Sequence, residues 1–186
     1  MKRFFLFCIL IMNIFHLTAQ QPSFFNHFKK IELPFISKDD TFDFYNADEP
    51  YIFGENELIE FLMVKSDSFL IEKNKLNILF NNNYDYFTVG QFMIDNGVNC
   101  ALYYRNYIEK GPEYTIELIL VTLNSDKTVI NSIPVSVLYT KKDIFSDSII
   151  EQNGNIRINY FFSSTQKMIK TENYKIDKDG IVKLIF

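Results

Sequence analysis

The sequence predicts an all-β fold, an antiparallel up-and-down meander of about eight to nine strands that forms an open barrel or a sandwich. From about residue 76 onward, apolar segments of about eight to twelve residues alternate with turn sequences. The connections are too short for crossover helices, so neighbouring strands should be antiparallel. Three turns carry a pair that tolerates positive φ: Asn96-Gly97, Asn153-Gly154 and Asp179-Gly180.

Alternation of apolar and polar residues defines the individual strands. One strand face is shared by Val98, Cys100, Leu102, Tyr104 and Ile108. By contrast, TIELILVTL is apolar on both faces, which is typical of a central strand covered on both sides. Gly90 and Pro134 fall inside strand segments and predict bulges or bends. The predicted strands are 76–81, 84–94, 98–108, 114–123, 128–139, 144–151, 155–163, 167–176 and 181–186.

The chain before these strands divides into segments of different character. Residues 1–19 read as a signal peptide, and residues 20–53, which hold three prolines, predict an extended lead-in with short strands. One short helix is expected near 55–63, because ENELIEFLM has helical apolar spacing and acids in its first turn. We therefore expect a single β-rich domain over 54–186, whose C-terminal hairpin belongs to the core.

The opening MKRFFLFCILIMNIFHLTAQ has a basic start, an apolar stretch and a small residue before a polar boundary, the pattern of a secretory signal. Cys8 lies inside the apolar stretch and lacks a lipobox, so we expect an exported periplasmic or extracellular protein and not a lipoprotein. Cleavage after Ala19 would leave 17 basic and 23 acidic residues, a net charge of −6. A net negative charge without a cluster of Lys and Arg residues disfavours nucleic acid as a partner. No membrane span is expected after cleavage.

Cleavage would also leave one cysteine, Cys100, and one histidine, His27. An internal disulfide and a Cys/His zinc site are then excluded, and a histidine-activated nucleophile is disfavoured because His27 lies near the mature N-terminus. Cys100 is expected to be a buried structural residue. Glycine-rich phosphate loops are absent as well. The sequence predicts no metal, no cofactor and no enzymatic activity.

Four segments carry a resemblance: Leu33-Pro34-Phe35, ALYYRN, IELILVTLNSDKTVINSIPVS with its Leu120–Leu123 and Val129–Ser132 strands, and NYKIDKDGIVKLI with Tyr174, Ile176, Asp177 and Gly180. Together they resemble small exported β-rich proteins of unknown function from Gram-negative bacteria. The resemblance covers most of the mature chain and implies only fold and location. The Asn124–Lys127 turn departs from it by having no glycine.

The sequence leaves one preferred function and two alternatives. The first is a non-catalytic domain that binds a protein, a glycan or an envelope component through Tyr103, Arg105 and Tyr107, which alternate along one strand face. The same tyrosines could instead pack within a second buried face. The second function is a closed barrel that carries a small apolar ligand, and the third is a carboxylate-based hydrolase.

The signal peptide gives the first testable prediction. Mass spectrometry of the exported protein should place Gln20 at or close to the N-terminus, because the cleavage motif ends at Ala19. Recovery of a membrane-retained protein that still carries residues 1–15 would show that the segment is an anchor.

Overall fold

The computed structural model describes residues 25, 27–37, 84–108, 114–127 and 129–186. The predicted signal peptide, the helix near 55–63, the strand at 76–81 and most of the lead-in lie outside these residues. The described strands are Phe35–Ser37 (β1), Tyr84–Met93 (β2), Asn99–Ile108 (β3), Tyr114–Leu123 (β4), Val129–Tyr139 (β5), Ile144–Ile150 (β6), Asn155–Phe162 (β7), Met168–Ile176 (β8) and Val182–Ile185 (β9), and a 3-10 turn at Thr140–Lys142 joins β5 to β6.

The predicted antiparallel meander is confirmed. Strands β2 to β9 follow one another in the sheet in chain order, and each pairs antiparallel with the next. Each predicted strand from residue 84 onward has a counterpart whose ends differ by at most one residue. Within the described residues β2 and β9 do not pair with each other, so the sheet is not closed into a barrel.

The three predicted hairpin turns place their glycines at positive φ. Gly97 and Gly154 both have φ +85°, and Gly180 has φ +80°. In the Asn124–Lys127 turn, which has no glycine, Lys127 takes the left-handed conformation with φ 63°. Its backbone N–H donates to the carbonyl of Asn124 at 3.1 Å. The turn geometry is therefore retained, at the cost that a side chain imposes in the left-handed region.

Both predicted strand irregularities are present. The β2–β3 register shifts between Thr88 and Gly90, and the β4–β5 register shifts where Pro134 faces Ile119. Proline has no N–H to donate to the ladder, which explains a bulge at that position.

The junction of β5 and β6 is held partly by side chains. Only two residue pairs join these strands, at the end next to the 3-10 turn. Beyond them, β1 pairs with Ser148–Ile150 of β6. The backbone N–H of Val137 donates to the Ser146 hydroxyl at 2.9 Å, and the Ser148 N–H donates to the Ser37 hydroxyl at 3.1 Å. Where β5 separates from β6, buried serine hydroxyls thus accept the hydrogen bonds of backbone N–H groups that a strand-to-strand ladder would otherwise pair.

This separation lets the two halves of the sheet, β2–β5 and β6–β9, share one core. Cys100, Leu102 and Leu118 of the first half belong to the same buried cluster as Ile156 and Ile158 of the second. The predicted inward face of β3 is confirmed, since Val98, Cys100, Leu102 and Tyr104 are all in this cluster. The side chain of Ile108 lies outside the described part.

A second cluster covers the opposite face of β2–β5. It contains Tyr103 of β3 and Ile119 and Val121 of β4, packed with Phe25 and Phe28 from the N-terminal segment. Strand β4 is therefore buried on both faces, as its apolar sequence predicts. The half-sheet β6–β9 packs one face on the shared core, and its other face, here called the outer face, carries exposed residues of β7 and β8.

The C-terminal hairpin is attached to this core. Ile176 is fully buried, and the Thr122 hydroxyl of β4 donates to the carbonyl of Gly180 at 2.6 Å. The turn that precedes β9 is therefore bound directly to the first half of the sheet.

Two glycines with the same φ form a matched pair for a stability measurement. A Cβ at Gly97 would meet nothing within 4 Å, whereas a Cβ at Gly154 would lie 2.8 Å from Cδ1 of the buried Ile94. Gly97→Ala should lower the free energy of unfolding by about 1–2 kcal/mol through backbone strain alone. Gly154→Ala should cost about 1–3 kcal/mol more through overpacking. Equal losses in chemical denaturation would show that Ile94 relaxes freely.

Candidate functional site

The predicted Tyr103–Arg105–Tyr107 row lies along β3, but it is not a fully exposed surface. Tyr103 is only 3% exposed, and its ring centroid lies 6.4 Å from that of Tyr86 in the second cluster. Burial raises the pKa of Tyr103 to about 12. Tyr107 is on the strand in register with Tyr84, and its side chain lies outside the described part. Tyr103 therefore packs within a second buried face of the sheet, which is the alternative to an exposed binding surface.

Arg105 is bound by a buried acid that the sequence analysis did not single out. Its Nε donates to Glu117, which is directly opposite on β4, and the Tyr139 hydroxyl donates to the same carboxylate. Glu117 is 7% exposed. Burial, and then the hydrogen bond to Glu117, raise the pKa of Tyr139 above its ordinary value. The buried carboxylate is therefore satisfied by its two donors. The β3–β4 register is the signal that would have identified this pair.

A second polar cluster lies at the edge of the shared core, on β7 and β8. Glu172 accepts hydrogen bonds from Lys170 at 2.6 Å, from Tyr174 at 2.9 Å and from Tyr160 at 3.1 Å. Desolvation opposes ionisation of Glu172, but these donors outweigh it and lower its pKa. Burial, and then Glu172, raise the pKa of Tyr174 to about 12. At neutral pH the acid is therefore ionised and Tyr174 is neutral, an arrangement that stabilises the β7–β8 hairpin.

A row of four residues crosses the outer face of β6–β9, perpendicular to the strands. Ile149 pairs with Arg157, Arg157 with Asn173, and Asn173 with Ile185. We call these four residues the central row. Together with Glu151, Phe186 and three further residues, they line a groove of about 190 Å³. Within the described part of the chain, the side chains of Arg157 and Asn173 are exposed and have no hydrogen-bonding or ionic partner.

The rows on either side of the central row are internally hydrogen-bonded. In each, an asparagine on β7 links an acid at β6 to a polar residue on β8, through contacts of 2.9–3.0 Å. These flanking rows are Glu151–Asn155–Lys175 and Asp147–Asn159–Thr171. Of the three rows, the central one is the row whose polar side chains do not bind each other, so it keeps all five N–H groups of the guanidinium and both of the amide unused within the described part of the chain.

Cys100 and His27 are in different environments. Cys100 is 1% exposed inside the shared core, and desolvation raises its thiol pKa to about 12. His27 is exposed in the N-terminal segment. A thiol with such a pKa is protonated at neutral pH and is a poor nucleophile.

The described residues include no group of three or more His, Cys, Asp or Glu side chains placed to hold a metal ion. No helix in this part of the chain has the length and apolar character needed to span a bilayer. Comparison of the chain with protein-family models, curated proteins and solved structures found no match.

Burial of Cys100 predicts its reactivity. A thiol-reactive reagent should label the native protein slowly from neutral pH to about pH 9, because the raised pKa suppresses the thiolate throughout this range. In denaturant, labelling should be fast and should accelerate as pH passes about 8.5, the ordinary thiol pKa. Rapid native labelling would contradict the β3 orientation that places Cys100 in the core.

Proposed function

We propose that this chain is an exported, non-catalytic binding domain, periplasmic or extracellular, whose ligand is a protein, a glycan or another envelope component. We place the ligand on the outer face of β6–β9. The proposal requires no metal and no cofactor. Its export rests on the signal-like opening of the sequence and on the resemblance to small exported β-rich proteins.

The observation that carries the proposal is the contrast between the central row and its neighbours. Polar groups in the flanking rows bind one another, whereas Arg157 and Asn173 present their donors to solvent in a groove. Arginine is also among the residues that contribute most to recognition surfaces. By contrast, Arg105 and Tyr103 are occupied by packing and by the ion pair with Glu117.

The size of the groove favours a polymer over a small molecule. Its volume of about 190 Å³ is below the range of about 300–1,000 Å³ typical of small-molecule pockets. A groove of this size accommodates one side chain or one sugar unit of a longer ligand. Among the described strands the sheet is open, which gives the apolar-ligand carrier no support from a closed barrel interior.

The test is co-sedimentation of the purified, exported protein with isolated cell envelopes. The double variant Arg157→Ala/Asn173→Ala should lose at least about tenfold in affinity, because charge-assisted hydrogen bonds contribute about 1.5–3 kcal/mol. Lys167→Ala is the matched control, since it removes an exposed charge in the β7–β8 turn, and it should bind like the wild type.

Two results would contradict the proposal. One is wild-type binding that the double variant retains, which would place the ligand elsewhere. The other is release of soluble products from the envelopes during incubation, which would show catalysis.

A further inference from the structure

We propose that the central row binds an extended acidic segment of a partner protein, in which an Asp or Glu has an apolar residue two positions away on each side. This inference rests on the proposed function and selects a protein over a glycan as the ligand. It follows from the order of residues in the row, apolar–cationic–amide–apolar, which is set by the strand register.

The spacing of the row matches an extended peptide that crosses the strands. Neighbouring strands are about 4.8 Å apart, so Ile149 and Ile185 at the two ends are separated by about 14 Å. In an extended chain, residues i, i+2 and i+4 project on one side and span about 13 Å at about 3.3 Å per residue. Apolar residues at i and i+4 would therefore meet the two isoleucines.

The residue at i+2 would then lie between Arg157 and Asn173. Its position, about 6.6 Å from either end of the segment, is close to the midpoint of the row at about 7 Å. A carboxylate at this point can accept hydrogen bonds from both side chains, and guanidinium–carboxylate pairs favour bidentate geometry. An amide donor beside the guanidinium complements the second carboxylate oxygen.

The preference for an anionic ligand comes from Arg157, the cation of the central row. The flanking rows hold two acids, Glu151, which also lines the groove, and Asp147, and one cation, Lys175. Each acid accepts a hydrogen bond within its own row. The ends of the row offer apolar contact, because Ile149 is partly buried and Ile185 is 45% exposed. A neutral or strongly hydrated glycan would leave these isoleucines without apolar partners, whereas the peptide pattern covers them.

The test uses a fluorescein-labelled peptide Ser-Leu-Thr-Glu-Thr-Leu-Ser and fluorescence polarisation with the exported protein. The wild type should bind, and Arg157→Ala should weaken binding at least about tenfold, with a smaller loss for Asn173→Ala. Lys167→Ala should not change the affinity. Because Arg157 is exposed and has no partner in the described part of the chain, the variant should keep the wild-type melting temperature.

Two control peptides test the pattern itself. Replacing Glu by Gln should cost about as much as Arg157→Ala, and moving both Leu residues next to Glu should weaken binding severalfold, because the apolar ends no longer reach the isoleucines. Equal affinity for all three peptides would overturn the inference.

The outcomes also separate this inference from the proposed function. If envelopes bind through Arg157 but the peptide does not, the acidic-peptide assignment is wrong while the binding function stands. Binding of polygalacturonate in that case would identify an acidic glycan as the ligand. If neither envelopes nor peptide bind the wild type, both fail.

Discussion

Buried serine hydroxyls at the junction of β5 and β6 supply hydrogen bonds that a continuous strand ladder would otherwise make. Ser37, Ser136, Ser146 and Ser148 are each at most 1% exposed, and buried backbone N–H groups must find a partner. With Ser146 and Ser37 as acceptors, β5 can leave β6 after only two residue pairs. A single meander can therefore fold over and enclose one apolar core between its halves, which an unbroken flat sheet of the same strands could not do.

Folding at this junction makes the two halves unequal. The half-sheet β2–β5 is covered on both faces, by the shared core and by the second cluster. The half-sheet β6–β9 is covered on one face, so its outer face is where polar side chains remain available. Arg105 and Arg157 illustrate the difference. The first is half-buried and paired with Glu117, and the second is exposed in the central row beside Asn173. The location of the proposed ligand surface is a consequence of this asymmetry.

Several reactive side chains of the described part are buried or bound to one another. Cys100 is buried and protonated, and Tyr103 and Tyr174 have pKa values raised to about 12. Glu172 is ionised, and its carboxylate accepts hydrogen bonds from three donors. Each group contributes packing or mutual hydrogen bonding. The side chains that keep unused hydrogen-bonding capacity on the outer face, Arg157 and Asn173, are suited to recognition and have no neighbouring general base in their row.

The sequence by itself determined what depends on neighbouring residues in the chain. The strand limits, the hairpin turns at Gly97, Gly154 and Gly180, and the inward orientation of Cys100 all follow from φ preferences and from the period-two alternation of a strand. The alternation cannot say whether the opposite face of the strand will be covered as well, because that depends on segments distant in sequence. Phe25 and Phe28 pack on the face of Tyr103, which could equally have been exposed. The Arg105–Glu117 pair, the serine junction and the central row likewise arise from strand register and long-range packing. Only the tertiary structure decides them, since each brings together residues that no local preference relates.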